Sequence, residues 1–170
     1  MTNDWAQIIV NTLKESEISF LSGVPDSSLS KVINLLHNDD YFTVVPATRE
    51  EEAIGIAAGA YVSGVRSAVY MQSSGVGNSI NALASLCLPA RIPIPMLINL
   101  RGEVGEFNIS QVFMGRSTPR IFDEFNIATY IIDSDYKLKE KLIGALKLCY
   151  ASHQPLAMCL TPLLHGGKNA

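Results

Sequence analysis

The sequence predicts an α/β protein with a six-stranded, mainly parallel sheet that carries helices on both faces. Apolar residues alternate along the chain between short strand-like runs and segments with helical spacing. Strands that alternate with helices favour right-handed crossovers, which build a parallel sheet covered on both sides. The length of 170 residues suits one hydrophobic core, so a single domain over residues 1–170 is expected.

The first part of the chain is predicted to contain four helices and four strands in alternation. The helices cover residues 6–13 and 29–36, a segment opened by the glutamate stretch, and a segment around residues 80–84. The strands are "ISFLSG" (18–23), "YFTVVP" (41–46), "SAVYMQ" (67–72) and "IPMLINL" (94–100).

The second part begins with a predicted long loop over residues 101–116. After it come a short helix at 119–125, the strand "ATYIID" (128–133), a helix at 136–150 and the strand "LAMCL" (156–160). The tail "HGGKNA" (165–170) is expected to be mobile.

The composition restricts the class of partner. Hydrophobic residues make up 48% and charged residues 17%, so other subunits are expected to cover part of the surface. A net charge of -3 without a basic stripe argues against nucleic acid. The amino terminus has no basic leader pattern and the longest apolar run is too short for a bilayer, which predicts a cytoplasmic protein that does not bind membranes.

The three cysteines, Cys87, Cys149 and Cys159, lie far apart in apolar stretches. This spacing predicts reduced core thiols and suggests neither a disulfide framework nor a metal site in this chain.

In parallel sheets, ligands bind beyond the carboxyl ends of the strands, where the loops meet. Four such loops are rich in glycine, serine or charge: "SGVPDSS", "PATREEE", "QSSGVGNS" and "RGEVGEFNISQVFMGR". Function is therefore expected in these four loops.

The second loop brings three glutamates to the start of an apolar helix. Thr48 and Glu51 have the spacing of a capping box, which gives Glu51 a structural role. Helical spacing places Glu50 over the small apolar face that includes Ala53 and Ala57, so Glu50 is the functional candidate. The alternative is that all three carboxylates only stabilise the helix end.

The other loops also have structural alternatives. Consecutive amides in "QSSGVGNS" could hold an anionic or polar group, or could form a simple tight turn. Asp26 could be the N-cap of the following helix. The fourth loop and the segment after it could receive an acidic substrate or be a solvated charged loop; its candidate substrate-binding residues are Arg101, Gln111, Arg116 and Arg120.

Taken together, "SGVPDSSL", "EEEAIGIAAGAY", "YMQSSGVGNSINAL" and "INLRGEVGEFNISQVFMGR" resemble the pyrimidine-binding domain of thiamine-diphosphate decarboxylases. The resemblance covers nearly the whole chain and is strongest to the alpha subunit, or amino-terminal half, of sulfopyruvate and phosphonopyruvate decarboxylases. Its most specific element is a glutamate followed at the ninth position by glycine, which aligns Glu50 with Gly59.

This resemblance implies thiamine diphosphate as cofactor and roles for particular residues. Glu50 would hydrogen-bond the ring nitrogen of the aminopyrimidine and favour its imino tautomer. Pro25 would contact the pyrimidine, and Asp26 would take part in proton transfer near the substrate. The cofactor pocket would be shaped by Gly75, Gly77 and Asn78. No histidine lies in residues 71–78, where some family members have one, and His37, His153 and His165 are interpreted as surface or core residues.

The resemblance also implies a partner chain. The Gly-Asp-Gly start of the diphosphate- and Mg²⁺-binding domain does not occur in this sequence, so a beta subunit is expected to hold the Mg²⁺. The implied reaction is decarboxylation of sulfopyruvate or phosphonopyruvate to the aldehyde. Two alternatives remain: a related decarboxylase or carboligase for another 2-keto acid, and a non-catalytic subunit of the same fold.

Overall fold

The computed structural model describes residues 4–166 and contains one six-stranded sheet in the order β2-β1-β3-β4-β6-β5. All of its strand pairings are parallel, which confirms the predicted sheet. The strands are β1 (Phe20–Gly23), β2 (Thr43–Pro46), β3 (Ser67–Gln72), β4 (Pro95–Asn99), β5 (Ala128–Ile132) and β6 (Leu156–Leu160).

The helices are α1 (Trp5–Glu15), α2 (Ser30–His37), α3 (Glu50–Val62), α4 (Ser73–Ala82), α5 (Leu88–Ala90), α6 (Ile109–Glu124), α7 (Leu138–Ser152) and α8 (Pro162–His165). A 3₁₀ turn at Ser27–Leu29 precedes α2, and a π-helical turn at Leu83–Cys87 joins α4 to α5.

Two apolar clusters cover the two faces of the sheet, as predicted. One cluster combines α1, α2 and α7 with Ala68 and Tyr70 of β3, and the other combines α3, α4 and α6 with Val69 and Met71 of the same strand. Successive side chains of a strand point to opposite faces, so β3 supplies both cores. Each fully buried large apolar side chain contributes about 1.5–3 kcal/mol to folding.

The main departure from the predicted elements is α6. It begins at Ile109, inside the segment predicted as a loop, and runs through Pro119 to Glu124. Asn108 caps it by accepting a hydrogen bond from the amide of Ser110 at 3.1 Å. Ile109 and Phe113 are exposed on its first turns, so the amphipathic pattern that reveals a surface helix is missing there.

The predicted mobile tail is only partly described. His165 ends the short helix α8, and residues 167–170 lie outside the described range. Within residues 4–166, no helix is long and apolar enough to cross a membrane. The three cysteines are buried free thiols, as predicted.

The strand order determines where a ligand site is expected. The connection from β1 leads outward to β2, whereas β3 pairs with the other side of β1. Such a reversal opens a crevice at the carboxyl ends of β1 and β3. Asp26 lies in the loop after β1, and Gly75 lies in the first turn of α4, which begins directly after β3.

Candidate active site

The three glutamates at the start of α3 have three different partners. Glu52 accepts hydrogen bonds from the amide and the hydroxyl of Thr48, at 2.8 and 2.7 Å, and these bonds lower the pKa of its carboxyl. Glu51 pairs with Arg49 at 2.7 Å. The prediction that Glu51 completes the capping box is therefore wrong by one residue. The helix begins at Glu50 with Arg49 as N-cap, which makes Glu52 its third residue.

Glu50 is directed at α4 instead. Its Oε2 accepts a hydrogen bond from Asn78 Nδ2 at 3.2 Å. Its carboxylate lies against Gly75, where a Cβ atom would collide with Cγ and Cδ of Glu50. Gly75 is buried and helical, so its role is to leave space for this carboxylate rather than to permit an unusual backbone conformation.

Gly77, one position before Asn78, is exposed. A Cβ atom there would lie 3.7 Å from Met114 Cε, which is an ordinary contact. The structure therefore assigns different requirements to the two glycines of "SGVGN", because only Gly75 faces the carboxylate.

Asp26 follows β1 and is 9% exposed. Its Oδ1 accepts a hydrogen bond from Ser28 N at 2.7 Å, so it caps the 3₁₀ turn, as the structural alternative expected. The same oxygen also accepts a hydrogen bond from Asn99 Nδ2 at 2.9 Å. Asp26 therefore caps the turn and also lies at the carboxyl edge of the sheet. Pro25 is exposed beside it.

Arg101 follows β4 and is only 5% exposed. Its guanidinium donates to both oxygens of Glu106, at 2.5 and 2.7 Å, and to Gln72 Oε1 at 2.9 Å. Hydrogen bonds from Arg101 lower the pKa of Glu106 to about 2, and those to Glu106 raise the pKa of Arg101. A substrate would meet an arginine that already donates three of its five N–H groups within this chain.

The remaining predicted substrate residues lie on α6. Gln111 accepts a hydrogen bond from Gln72 Nε2 at 3.1 Å, which ties the helix to the end of β3. Arg116 Nε donates to the carbonyl of Gly102 at 3.3 Å. The side chains of Arg116 and Arg120 are exposed.

The structure adds four residues that the sequence analysis did not select: Gln72, Asn99, Glu106 and His165. Gln72 and Asn99 are the last residues of β3 and β4, so the rule that pointed to the loops could have found them. His165 has no such signal, because it comes to the site through its hydrogen bond with Asn99.

Within residues 4–166, no group of three or more His, Cys, Asp or Glu side chains is arranged to bind a metal.

This chain is similar to a known protein family and to curated proteins. The family model described as "Thiamine pyrophosphate enzyme, N-terminal TPP binding domain" matches residues 3–102. "Sulfopyruvate decarboxylase subunit alpha" of Methanocaldococcus jannaschii is 39% identical over 155 residues, which cover 91% of this chain and 92% of that protein. "Phosphonopyruvate decarboxylase" of Streptomyces viridochromogenes is 38% identical over 136 residues, which cover 79% of this chain and 34% of that protein.

A solved structure supports the fold. The 2-oxoglutarate:ferredoxin oxidoreductase of Magnetococcus marinus, with 2-oxoglutarate, coenzyme A and succinyl-CoA bound, matches with a TM-score of 0.71 at 13% identity. The match covers 95% of this chain and 29% of that one. From the family match and the alpha-subunit relative of similar length, we conclude that the chain belongs to the thiamine pyrophosphate enzymes and carries their N-terminal TPP binding domain.

Proposed function

We propose that this chain is the alpha subunit of a two-chain thiamine-diphosphate-dependent decarboxylase that converts sulfopyruvate or phosphonopyruvate to the aldehyde and CO₂. The observation that carries the proposal is the Glu50 carboxylate, which accepts a hydrogen bond from Asn78 and occupies the space that Gly75 leaves free. The names of the relatives support the substrate class and the division into subunits.

The residues fit the aminopyrimidine half of thiamine diphosphate. A carboxylate with one neutral hydrogen-bond partner is suited to share a proton with a ring nitrogen, which is the proposed role of Glu50. In this proposal the pyrimidine side of the site is also lined by Asn78, Gly77 and Pro25. When bound, the cofactor supplies the electron sink that loss of CO₂ from a 2-keto acid requires.

Asp26 is the proposed proton-transfer group near the substrate. Both hydrogen bonds that it accepts from residues 4–166 end on Oδ1. The carboxylate is thus held by one oxygen, and Oδ2 is left to contact a substrate or its product. A carboxylate that is fixed through one oxygen keeps the other for proton transfer.

The distal acid group of the substrate is proposed to bind at α6. Arg116 and Arg120 are exposed there, whereas Arg101 is engaged by Glu106. Guanidinium groups bind sulfonate, phosphonate and carboxylate through paired charge-assisted hydrogen bonds. The proposed role of Arg101 is therefore to hold the loop, with Gln111 and the two exposed arginines nearest to substrate.

A beta subunit is proposed to cover the apolar surface next to this helix. We define the α6 patch as four side chains that are 62–77% exposed: Val104, Phe107, Ile109 and Phe113. Clustered apolar side chains of this size are typical of protein interfaces. The patch adjoins the proposed substrate residues of α6, so its occupant would close the site. The proposed occupant is the chain that holds the diphosphate and Mg²⁺.

The remaining parts of the proposal concern the whole chain. Residues 1–170 are proposed to form one pyrimidine-binding domain, and the assembled enzyme is proposed to act in the cytoplasm. Coverage of 92% of an alpha subunit by the matching segment supports the first of these.

The test is a substrate screen on the assembled enzyme. The chain would be co-expressed with its candidate beta subunit, purified with thiamine diphosphate and Mg²⁺, and assayed for CO₂ and aldehyde. We expect turnover of sulfopyruvate or phosphonopyruvate well above that of pyruvate and 2-oxoglutarate. An active complex that prefers an uncharged 2-keto acid would refute the substrate class, and an inactive complex with bound cofactor would refute the catalytic role.

A further inference from the structure

A chain of three polar side chains crosses the carboxyl edge of the sheet. His165 Nε2 lies 3.0 Å from Asn99 Oδ1, and Asn99 Nδ2 lies 2.9 Å from Asp26 Oδ1. Asn99 is completely buried, and Asp26 is 9% exposed. The three residues come from β4, from the loop after β1 and from α8.

The sheet order explains how His165 reaches this position. β4 lies beside β6, and Asn99 pairs in register with Leu160. The chain then turns into α8 directly after β6, so the end of this short helix comes back over Asn99. The ring of Trp5 in α1 lies 6.1 Å from the imidazole ring and packs on the same side of the sheet.

The buried amide of Asn99 has a defined direction in this arrangement. An amide has one acceptor and one donor group, and here the acceptor faces His165 while the donor faces Asp26. The contact requires a hydrogen on Nε2 of the imidazole. If that donor were lost, Asn99 would keep a buried carbonyl without its partner and could rotate away from the carboxylate.

We propose that His165 is a positioning residue that acts through Asn99 to hold the Asp26 carboxylate in its working orientation. The proposal rests on the proposed function, in which Asp26 transfers a proton near the substrate. His165 itself does not contact the reacting atoms in this proposal. Its donor fixes the amide of Asn99, and the amide fixes Oδ1, which leaves Oδ2 to the reaction.

The charges around His165 agree with this role. Burial lowers the pKa of His165, and the nearby Arg101 guanidinium, itself paired with Glu106, lowers it further. The Asp26 carboxylate opposes both effects. The imidazole is therefore mostly neutral at pH 7, with a single N–H available for Asn99.

The kinetic test compares two substitutions at one position in the assembled complex. His165→Gln retains an amide donor near the position of Nε2, whereas His165→Ala removes it. We expect His165→Ala and Asn99→Ala to lower kcat by about 10- to 100-fold, the cost of a misplaced reacting group, with KM nearly unchanged. His165→Gln should recover most of the loss. The His165→Ala/Asn99→Ala double variant should be no slower than Asn99→Ala alone, since both changes break the same chain of hydrogen bonds.

The control for a general histidine effect is His37→Ala, because His37 is exposed at the end of α2. It should leave kcat unchanged. Equal losses in His165→Ala and His165→Gln, or wild-type kcat in His165→Ala, would overturn the proposal.

A spectroscopic test is independent of turnover. The chain contains three histidines, so it can be labelled with ¹⁵N-histidine and assembled with unlabelled partner. The signal that disappears in His165→Gln belongs to His165. We expect the Nε2-protonated tautomer at pH 7, and we expect Asp26→Asn to lower the pKa of His165 by removing the carboxylate that raises it. An Nδ1-protonated ring or an unchanged pKa of His165 would refute the chain of contacts, even if the complex is active. An inactive complex with the expected spectra would refute only the proposed function.

Discussion

At the residue scale, hydrogen-bond partners separate three identical side chains. Glu51 and Glu52 are held by residues of their own helix end, through Arg49 and Thr48. Only Glu50 reaches another helix, where Gly75 and Asn78 receive it. This contact with a second helix is the difference on which the proposed cofactor-binding role of Glu50 rests.

The first prediction concerns this carboxylate. Glu50→Gln preserves the size of the side chain and its contact with Asn78 but cannot exchange a proton with the pyrimidine nitrogen. General acid–base assistance is worth about 10² to 10⁴ in rate, so kcat of the assembled complex should fall by that factor. Steady-state kinetics measures the loss, and titration with thiamine diphosphate should reveal weaker cofactor binding.

The neighbouring glutamates provide matched controls. Glu51→Gln and Glu52→Gln should weaken only the start of the helix and should leave kcat almost unchanged. If Glu50→Gln keeps nearly full activity while Glu51→Gln or Glu52→Gln is inactive, Glu50 is not the catalytic carboxylate.

The second prediction uses the space at Gly75. Gly75→Ala suits a helix by propensity, but the added methyl would occupy the place of the Glu50 side chain. Because that side chain is flexible, we expect the protein to fold with Glu50 displaced, and we expect kcat to fall about as far as in Glu50→Gln. The control is Gly77→Ala, whose methyl meets only Met114. Full activity in Gly75→Ala would argue against this geometry.

At the element scale, the segment before α6 is organised by the Arg101–Glu106 ion pair. The side chains are 6% and 3% exposed, and Glu106 also accepts hydrogen bonds from the amides of Gly102 and Asn108. The pair therefore holds the segment between β4 and α6 closed. Gly115 completes the contact, because a Cβ atom there would collide with the carbonyl of Arg101.

The third prediction is a pH dependence of stability. The pKa of Glu106 is about 2 in the folded protein against an ordinary value of 4.5, so its contribution is complete above pH 4.5 and is lost as the pH falls towards 2. One pKa unit corresponds to about 1.4 kcal/mol, so the contribution is of order 3 kcal/mol. Glu106→Gln should be less stable than wild type at pH 7, and the gap should shrink at pH 3. Urea unfolding at pH 7 and pH 3 measures the difference in stability between the variant and wild type. A difference that stays constant would contradict the low pKa of Glu106.

The fourth prediction separates the arginines. Loss of a charge-assisted contact costs roughly 1.5 to 3 kcal/mol, so Arg116→Ala or Arg120→Ala should raise KM about 10- to 100-fold while cofactor binding stays intact. Arg101→Ala should instead destabilise the protein by about 3–5 kcal/mol, because it leaves the buried Glu106 carboxylate without its counter-charge.

Thermal unfolding and KM measured on the same variants distinguish the two effects. Unchanged KM in the Arg116→Ala/Arg120→Ala double variant would assign the acid group of the substrate to the partner chain.

Local pattern determined which elements could be predicted. β3 and β6 match their predicted ranges because continuous apolar runs of four or five residues are typical of strands buried on both faces. α6 could not be predicted in full, since its first turns expose Ile109 and Phe113 and it contains Pro119. A helix that leaves apolar side chains uncovered lacks the pattern by which helices are found.

At the scale of the whole molecule, topology brings the site together. The positions of Asp26, Glu50 and Gly75 at one edge follow from parallel strands, and so could be expected from sequence. The contacts between Arg101 and Glu106 and between Asn99 and His165 could not. The first depends on the path of an irregular segment, and the second depends on β4 lying beside β6.

The fifth prediction follows from the proposed division of the site between two chains. The pyrimidine side lies on this chain, and the diphosphate and Mg²⁺ are assigned to the partner. The chain purified alone should therefore show no decarboxylation, and calorimetry should detect only weak binding of thiamine diphosphate. Adding the partner should restore both, since in the proposed assembly it supplies the charged half of the site and covers the α6 patch.

A substitution within the patch tests the geometry of this assembly. Phe113→Asp places a charge on a side chain that is 77% exposed, so it should leave the fold intact and weaken binding of the partner. Tyr136→Asp is the matched control, because Tyr136 is 68% exposed in the segment between β5 and α7. Analytical ultracentrifugation of the mixed chains measures both. Robust turnover by the isolated chain would refute the divided site, and normal assembly of Phe113→Asp would place the partner on another face.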